Sequence, residues 1–210
     1  MTSQARGDAA GSGDRGGQPG ASRRPQVLLA LTGSVATIKW QEIVRGLTEA
    51  GCDVTVMATR AAAHFVAAAA DGPAPARVHT DDEEWRAWER KGDPVLHIEL
   101  RRRADILVFA PLSANTLAKL AHGLCDNLVT AVARAWDPAR PVLACPAMNT
   151  MMWEHPHTAR HLAELAALGY RVLGPVSKPL ACGDVGNGAM SEPADVVAET
   201  LRLLGSGAPG

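Results

Sequence analysis

Short, unbroken apolar runs alternate along the chain with longer stretches in which apolar residues recur every three or four positions. QVLLALTG (26–33) is apolar until it ends in Thr-Gly, the pattern of a strand buried on both faces. Ser34 to Ala50 comes next, with Ile38, Ile43, Val44 and Leu47 near one face and Gly51 behind it, which predicts a helix and its stop. DVTVMAT (53–59), ADILVFAP (104–111) and RPVLACP (140–146) repeat the strand pattern, and YRVLGP (170–175) predicts a fifth strand. Helices are predicted for the alanine-rich stretch through His64 and Phe65 and for the acidic DDEEWRAWERKGDP (81–94), its charges toward solvent. SANTLAKLAHGL (113–124) opens on a good cap, Ser113, and DNLVTAVARAW (126–136), HTARHLAELAALG (157–169) and Pro193 to Leu204 complete the helices.

Strands alternating with helices predict an α/β chain, a parallel sheet covered on both faces, as a single domain over residues 26–205. Residues 1–25 are rich in Gly, Ser and Arg and lack an apolar segment, so they and residues 206–210 are expected to be disordered tails. The chain of 210 residues is 47% hydrophobic and carries a formal net charge of −1, which removes any argument for bulk attraction to nucleic acid or an anionic membrane. No apolar stretch approaches the roughly 20 residues that span a bilayer. Cys52, Cys125, Cys145 and Cys182 are scattered, with neither a CxxC pair nor zinc spacing, and fit reduced thiols in the cytoplasm.

In a parallel sheet of this kind, ligands sit where loops leave the carboxyl ends of the strands. Four polar loops are placed there: Thr32-Gly33-Ser34, Thr59-Arg60, Ser113-Ala114-Asn115-Thr116 and Ala147-Met148-Asn149. Gly33 and Ser34 offer backbone N–H groups and a hydroxyl to an anion at a helix start, although Ser34 serves equally well as an ordinary cap. The loop is neither a GxGxxG fingerprint nor a Walker loop. Together with the Ser113–Thr116 loop it suits a phosphate and a ring with several hydrogen-bonding edges, a mononucleotide or a flavin. His155, His157 and His161 lie close together, but no further ligand set completes a metal site, and none is expected. His97, among Val95, Leu96 and Ile98, is a partly buried ring, structural or catalytic. The glycines around Cys182 (183, 186 and 188) predict irregular structure, either a lid presenting a thiol or a plain surface loop.

GSVATIK, DPVLHIELRRRAD, APLSANTLAKLAHGLCDNLVTAVARAWD, PAMNTMMWEHP and LACGDVGNGAM together resemble the flavin-dependent cysteine decarboxylases, from about Val27 to Glu192. The resemblance implies a Rossmann-like (flavodoxin-like) three-layer sandwich that binds FMN, assembled as a homotrimer or a multiple of trimers. Carried over by position, Gly33, Ser34, Val35, Thr59, Ser113, Ala114, Asn115, Thr116 and Ala147 line FMN. His97 is the active-site base, Asn149, Met152, Lys178 and Ala181 meet the substrate, and Cys182 donates a proton. The implied substrate is the small molecule phosphopantothenoylcysteine. A peptide ending in cysteine is the alternative, and a non-catalytic regulatory flavoprotein a third reading. Pro179 and Thr37 depart from the family's pattern, which usually has a basic residue and an alanine there.

Overall fold

Backbone pairing begins where the apolar runs begin. A computed structural model describes residues 23–69, 74–179 and 185–206. In chain order, β1 (Gln26–Leu31) leads through a 3-10 turn (Val35–Lys39) into α1 (Trp40–Glu49), and then into β2 (Asp53–Ala58), α2 (Arg60–Ala68) and β3 (Val78–His79). Then come α3 (Asp81–Ala87), α4 (Leu96–Arg103), β4 (Ile106–Leu112), α5 (Ala114–Ala121), α6 (Leu128–Arg134) and β5 (Val142–Pro146). The chain continues through α7 (Thr150–Glu154), α8 (Pro156–Ala167), β6 (Arg171–Val172), a hairpin of β7 (Val176–Pro179) with β8 (Val185–Ala189), and α9 (Pro193–Ser206).

The six-stranded sheet has the order β3-β2-β1-β4-β5-β6 and every pairing is parallel. The alternation within β1 shows why both faces are covered. Val27, Leu29 and Leu31 pack with Trp40, Ile43, Val44 and Leu47 of α1, Ala62 of α2 and Val196 of α9. Leu28 and Ala30 face the opposite way, onto Leu100 of α4, Leu117 and Leu120 of α5, Val129 and Val132 of α6 and Leu165 of α8. This is the expected Rossmann-like, three-layer α/β sandwich. Chain order runs outward from β1 in one direction and outward from β4 in the other, so the topological switch point lies between these two strands.

The helix expected over 34–50 is divided. Ser34 caps a 3-10 turn, and the α-helix starts only at Trp40. Gly51, at φ 88°, ends it as expected. The strand expected over 170–175 shortens to two residues. Helix α4 is a new element. Its last turn carries Arg101, Arg102 and Arg103, which suit the negative end of the helix dipole. The Arg140 guanidinium also donates to the carbonyls of Arg101, Arg102 and Ala104, satisfying that end. Arg23 pairs with Asp105 and Arg24 with Asp53, so residues next to β1 are held to the sheet. The rest of the two expected tails lies outside the described residues. Among the described residues no helix is long and apolar enough to cross a membrane.

At the switch point the sheet has a flaw that a side chain repairs. Pro111 sits in a central strand without an N–H to give, and the β4–β5 register shifts between Phe109 and Leu112. Thr32, fully buried at the end of β1, donates its hydroxyl to the Pro111 carbonyl (2.8 Å) and accepts from the Ser113 N–H (2.7 Å). Its own carbonyl accepts from Ser34 N–H and from the Thr37 hydroxyl, both at 2.8 Å. Thr32→Val keeps the shape and strands two buried polar groups, each costing about 1–3 kcal/mol. It should therefore lower unfolding stability by about 2–4 kcal/mol in urea titration, whereas Thr32→Ser should retain most of it.

Candidate functional site

Three loops leave neighbouring strands at the switch point, and each begins with a hydroxyl that caps the next helical turn. Ser34 accepts from Ala36 N–H (3.4 Å), Thr59 from Ala62 N–H (3.2 Å) and Ser113 from Thr116 N–H (3.3 Å). Two of these hydroxyls, Thr59 and Ser113, line a cleft of ≈ 480 Å³ together with Gly33, Arg60, Asn115, Thr116 and, from elsewhere, Asp81, Lys119, Asp126 and Asn127, while Ser34, next to Gly33, does not line it. A volume of this order takes a cofactor-sized molecule. Gly33 makes the loop fit, since a Cβ there would lie 2.7 Å from the Ala61 Cβ at the start of α2.

The donor set suits a phosphorylated ring. Hydroxyls, the carboxamides of Asn115 and Asn127 and the N-terminal turns of α2 and α5 supply hydrogen bonds to a polar ring edge and to an anion. Arg60 contributes a cation at the first position of α2. Lys119 is engaged with Asp126 at 2.6–2.8 Å, and this contact holds the Asp126 carboxyl below the usual carboxylate range. Ala114 opens α5 between the lining residues Ser113 and Asn115, and Val35, exposed at the start of the 3-10 turn, does not line the cleft. Ala147, buried at the end of β5, donates its N–H to the Leu112 carbonyl and brings the fourth loop alongside.

That fourth loop has its own logic. Asn149 caps α7, its Oδ1 accepting from Met151 N–H at 2.8 Å. The oxygen is thereby committed to the backbone of α7, and the donor end of the side chain is its amide nitrogen. Met152, half exposed, lies on α7, and its carbonyl accepts from the Thr158 hydroxyl at 2.6 Å. The β7–β8 hairpin lies directly against this loop. Met148 N–H donates to the Gly188 carbonyl at 2.9 Å. Cβ atoms added at Gly186 and Gly188 would come within 2.5 Å of Thr150 Oγ1 and 2.3 Å of the Met148 carbonyl. The glycine-rich segment expected to be irregular therefore forms, in its second half, a strand paired antiparallel with β7. Its glycines are there for close approach, as well as for the positive φ of Gly188. Lys178 pairs with Gly186 in this hairpin. Ala181 and Cys182 fall outside the described residues.

His97 sits on α4 and does not line the cleft. Its Nδ1 meets Glu84 Oε1 of α3 at 2.5 Å, with both side chains mostly covered. A carboxylate can only accept, so Nδ1 carries the hydrogen, and in the neutral ring Nε2 is then the nitrogen with the lone pair. The acidic helix expected to face solvent with its charges is instead committed inward. Asp81 lines the cleft and accepts from the Leu128 N–H at 2.8 Å, Glu83 meets His79, and Glu84 holds His97. One helical turn thus connects the cleft to the His97 pair. Glu84 and Asp81 were not legible as site residues, and Thr32, placed in the first ligand loop, was not legible as the group that bridges Pro111 and Ser113. The available signal was a Thr before an acidic first turn, which marks a cap rather than a partner for a histidine 13 positions on. Cys145, by contrast, is a core thiol in β5 whose pKa burial pushes far up, so it fills space and is no nucleophile.

A parallel sheet with a cofactor-sized polar cleft at its switch point, helix starts aimed into it and a histidine–carboxylate pair beside it defines an α/β mononucleotide-binding protein. The chain belongs to the flavoprotein family, whose profile matches residues 17–205. A phosphopantothenoylcysteine decarboxylase of Oryza sativa is 52% identical over 180 residues, covering 86% of this chain and 80% of the relative. A mutant PPC decarboxylase complexed with pantothenoylaminoethenethiol superposes with a TM-score of 0.82 at 50% identity, covering 88% of this chain and all of that one. The FMN-binding protein AtHal3 superposes with a TM-score of 0.80 at 49% identity, covering 90% of this chain and all of that one.

The contact between hairpin and loop makes its own prediction. Gly188→Ala adds a methyl against the Met148 carbonyl at φ 138°, a strain of about 1–3 kcal/mol. The hairpin should detach while the six-stranded sheet stays folded, seen as faster proteolytic nicking near β7–β8 with an almost unchanged thermal midpoint for the remainder.

Proposed function

We propose that the chain is a carboxy-lyase that uses FMN to decarboxylate 4′-phosphopantothenoylcysteine to 4′-phosphopantetheine in coenzyme A synthesis, as a cytoplasmic homotrimer or a multiple of trimers. The observation that carries the reading is the near-complete overlap with PPC decarboxylase at half identity, joined to a cleft whose donors suit FMN. Gly33, Ser34, Val35, Thr59, Ser113, Ala114, Asn115, Thr116 and Ala147 are the residues assigned to hold it.

Loss of CO₂ from an N-acylated cysteine leaves electrons on Cα with no acceptor, and an amide nitrogen cannot form an imine to supply one. FMN, when bound, supplies a two-electron acceptor that lets the CH₂–SH group become C=S, beta to the carboxylate, and returns the electrons afterwards. The protein's residues do the rest. A thiol with a pKa of about 8.5 is only a few per cent ionised at neutral pH, so His97 Nε2 takes its proton. Glu84 holds the ring in the tautomer that makes this possible. Asn149 donates amide hydrogens to the carboxylate without a full positive charge, which would stabilise the ground state and oppose CO₂ loss. Met152 supplies an apolar wall, Lys178 meets the phosphorylated end, Ala181 meets the substrate, and Cys182 supplies the thiol that protonates the enethiol before the electrons return.

Support for assembly comes from the surface near these residues. His97 lies off the cleft within one chain, so a second chain can bring it to the cofactor. Val35 and Ile38 of the 3-10 turn, Trp85 of α3 and Met151 of α7 are large apolar side chains left 45–75% exposed. Cys52, Cys125 and Cys145 are free thiols, which fits a reducing compartment.

The purified protein should be yellow and release FMN on denaturation. Incubated anaerobically with 4′-phosphopantothenoylcysteine, it should give a product lighter by CO₂ alone. His97→Asn and Asn149→Asp should remove turnover from a folded, flavin-loaded oligomer. Glu84→Gln should lower kcat by at least about tenfold, part of the roughly 10²–10⁴-fold that a general base contributes. Cys182→Ser should still release CO₂ but yield a product two hydrogens lighter. Turnover only of a peptide ending in cysteine would transfer the assignment to peptide decarboxylation, and a yellow protein inert toward both would leave a regulatory flavoprotein. Assembly has a separate check: sedimentation of the flavin-loaded protein should give a trimer or a multiple of it, and a flavin-loaded monomer would contradict this.

A further inference from the structure

A crevice of ≈ 260 Å³ lies between the sheet and α4 and shares no lining residue with the cofactor cleft. Its floor is Leu28 of β1, Thr55 of β2 and His79 of β3. Thr55 is the register partner of Leu28, and His79 that of Met57, so these side chains face the same side of the sheet, the one α4 covers. Leu96 and Leu100 of α4 form the roof. We infer that this crevice is a second ligand site, which takes a small neutral molecule with an apolar ring and one hydroxyl, a phenol being the simplest.

A parallel sheet covered by helices is apolar on both faces as a rule, and this floor is not. Thr55 lies on an inner strand, yet its hydroxyl makes no hydrogen bond among the described residues. The His79 side chain, 15% exposed, meets Glu83 of α3 through Nδ1 at 3.0 Å. The carboxylate accepts, so Nδ1 carries the hydrogen, and in the neutral ring Nε2 is an acceptor that no described residue satisfies. Covered polar groups in folded proteins are nearly always paired, so these two mark a partner that the chain itself does not supply. A hydroxyl meets both needs, because it accepts from Thr55 and donates to His79 Nε2. The two residues stand on adjacent strands, which lie about 4.8 Å apart, with His79 level with Met57, one alternate position beyond Thr55. The rest of the ligand faces Leu28, Leu96, Leu100 and Ala104. An apolar cavity of about 150 Å³ already admits benzene, so this space takes a substituted ring. Glu99 and Arg103, the charged lining residues of α4, meet each other at 3.8 Å, and a charged ligand would lose hydration that leucine walls do not replace. The site stands behind the active-site histidine. Leu96 and Leu100 flank His97 on α4, and the consecutive Glu83 and Glu84 hold His79 and His97. An occupant thus bears on both helices that fix the base; its bearing on turnover rests on the function proposed above, whereas the site itself does not.

The test is calorimetric titration of the flavin-loaded protein with phenol, and with anisole, which keeps the ring but has no hydrogen to donate. One saturable phenol site per chain is expected, with anisole at least about fivefold weaker because it leaves His79 unpaired. Thr55→Val keeps the shape and removes the hydroxyl. It should weaken phenol binding by at least about threefold, yet leave the urea midpoint unchanged or raised, since that hydroxyl has no partner to lose. Thr55→Phe fills the crevice from its floor and should abolish binding, with circular dichroism and flavin content showing that the variant is folded. Absence of saturable phenol binding would leave the crevice to water and overturn the site. Anisole binding as tightly as phenol, full affinity in Thr55→Val, or binding that survives Thr55→Phe would each overturn it as well. Because the readout is binding and not turnover, its failure says nothing about decarboxylation.

Discussion

The hydroxyl of Thr32 is the point on which the ligand end of this molecule depends. Two central strands must part there so that loops can open a crevice, and parting leaves the Pro111 carbonyl and the Ser113 N–H without ladder partners. One side chain satisfies both, while its own carbonyl collects the turn that carries Ser34. The cleft is thus an opening in the sheet held at fixed width by a buried, fully partnered group. Thr37, which departs from the family's usual alanine, adds a hydrogen bond to that same carbonyl. It departs from the pattern without disturbing the loop.

A second constraint runs through α3. Its acidic first turn would be an ordinary helix start in an isolated peptide, since anions favour that end. In the fold the same residues tie three structures together: Asp81 the cleft and α6, Glu83 the neighbouring edge strand, Glu84 the His97 ring. The histidine is therefore positioned by an element that also touches the cofactor cleft. Loop and hairpin are coupled in the same way through backbone, with glycines removing the side chains that would hold them apart.

Much of this was legible in the sequence because it rests on local pattern. The buried strands announce themselves as unbroken apolar runs, and the loops carry their hydroxyls and amide at strand ends. Gly33, Thr59, Ser113, Asn115 and Thr116 could be gathered into one crevice from topology alone. The features that escaped depend on tertiary contact. Helix α4 is dominated by charged residues with no apolar period to mark it, and is completed by Arg140, nearly 40 positions away. Glu84 differs from its acidic neighbours only in what it touches. The β8 strand hides behind its glycines, because the reason for them is the close approach of the Thr150 side chain and the Met148 carbonyl.

The two margins of the sheet are both minimal. Strands β3 and β6 are two residues each, so a neighbouring molecule finds only a couple of rungs on which to continue the ladder. Chains of this protein are thereby protected from fusing edge to edge into fibrils. What the sheet leaves open to a partner is helix faces and loop rims, the surfaces where identity of the partner can be read from side chains.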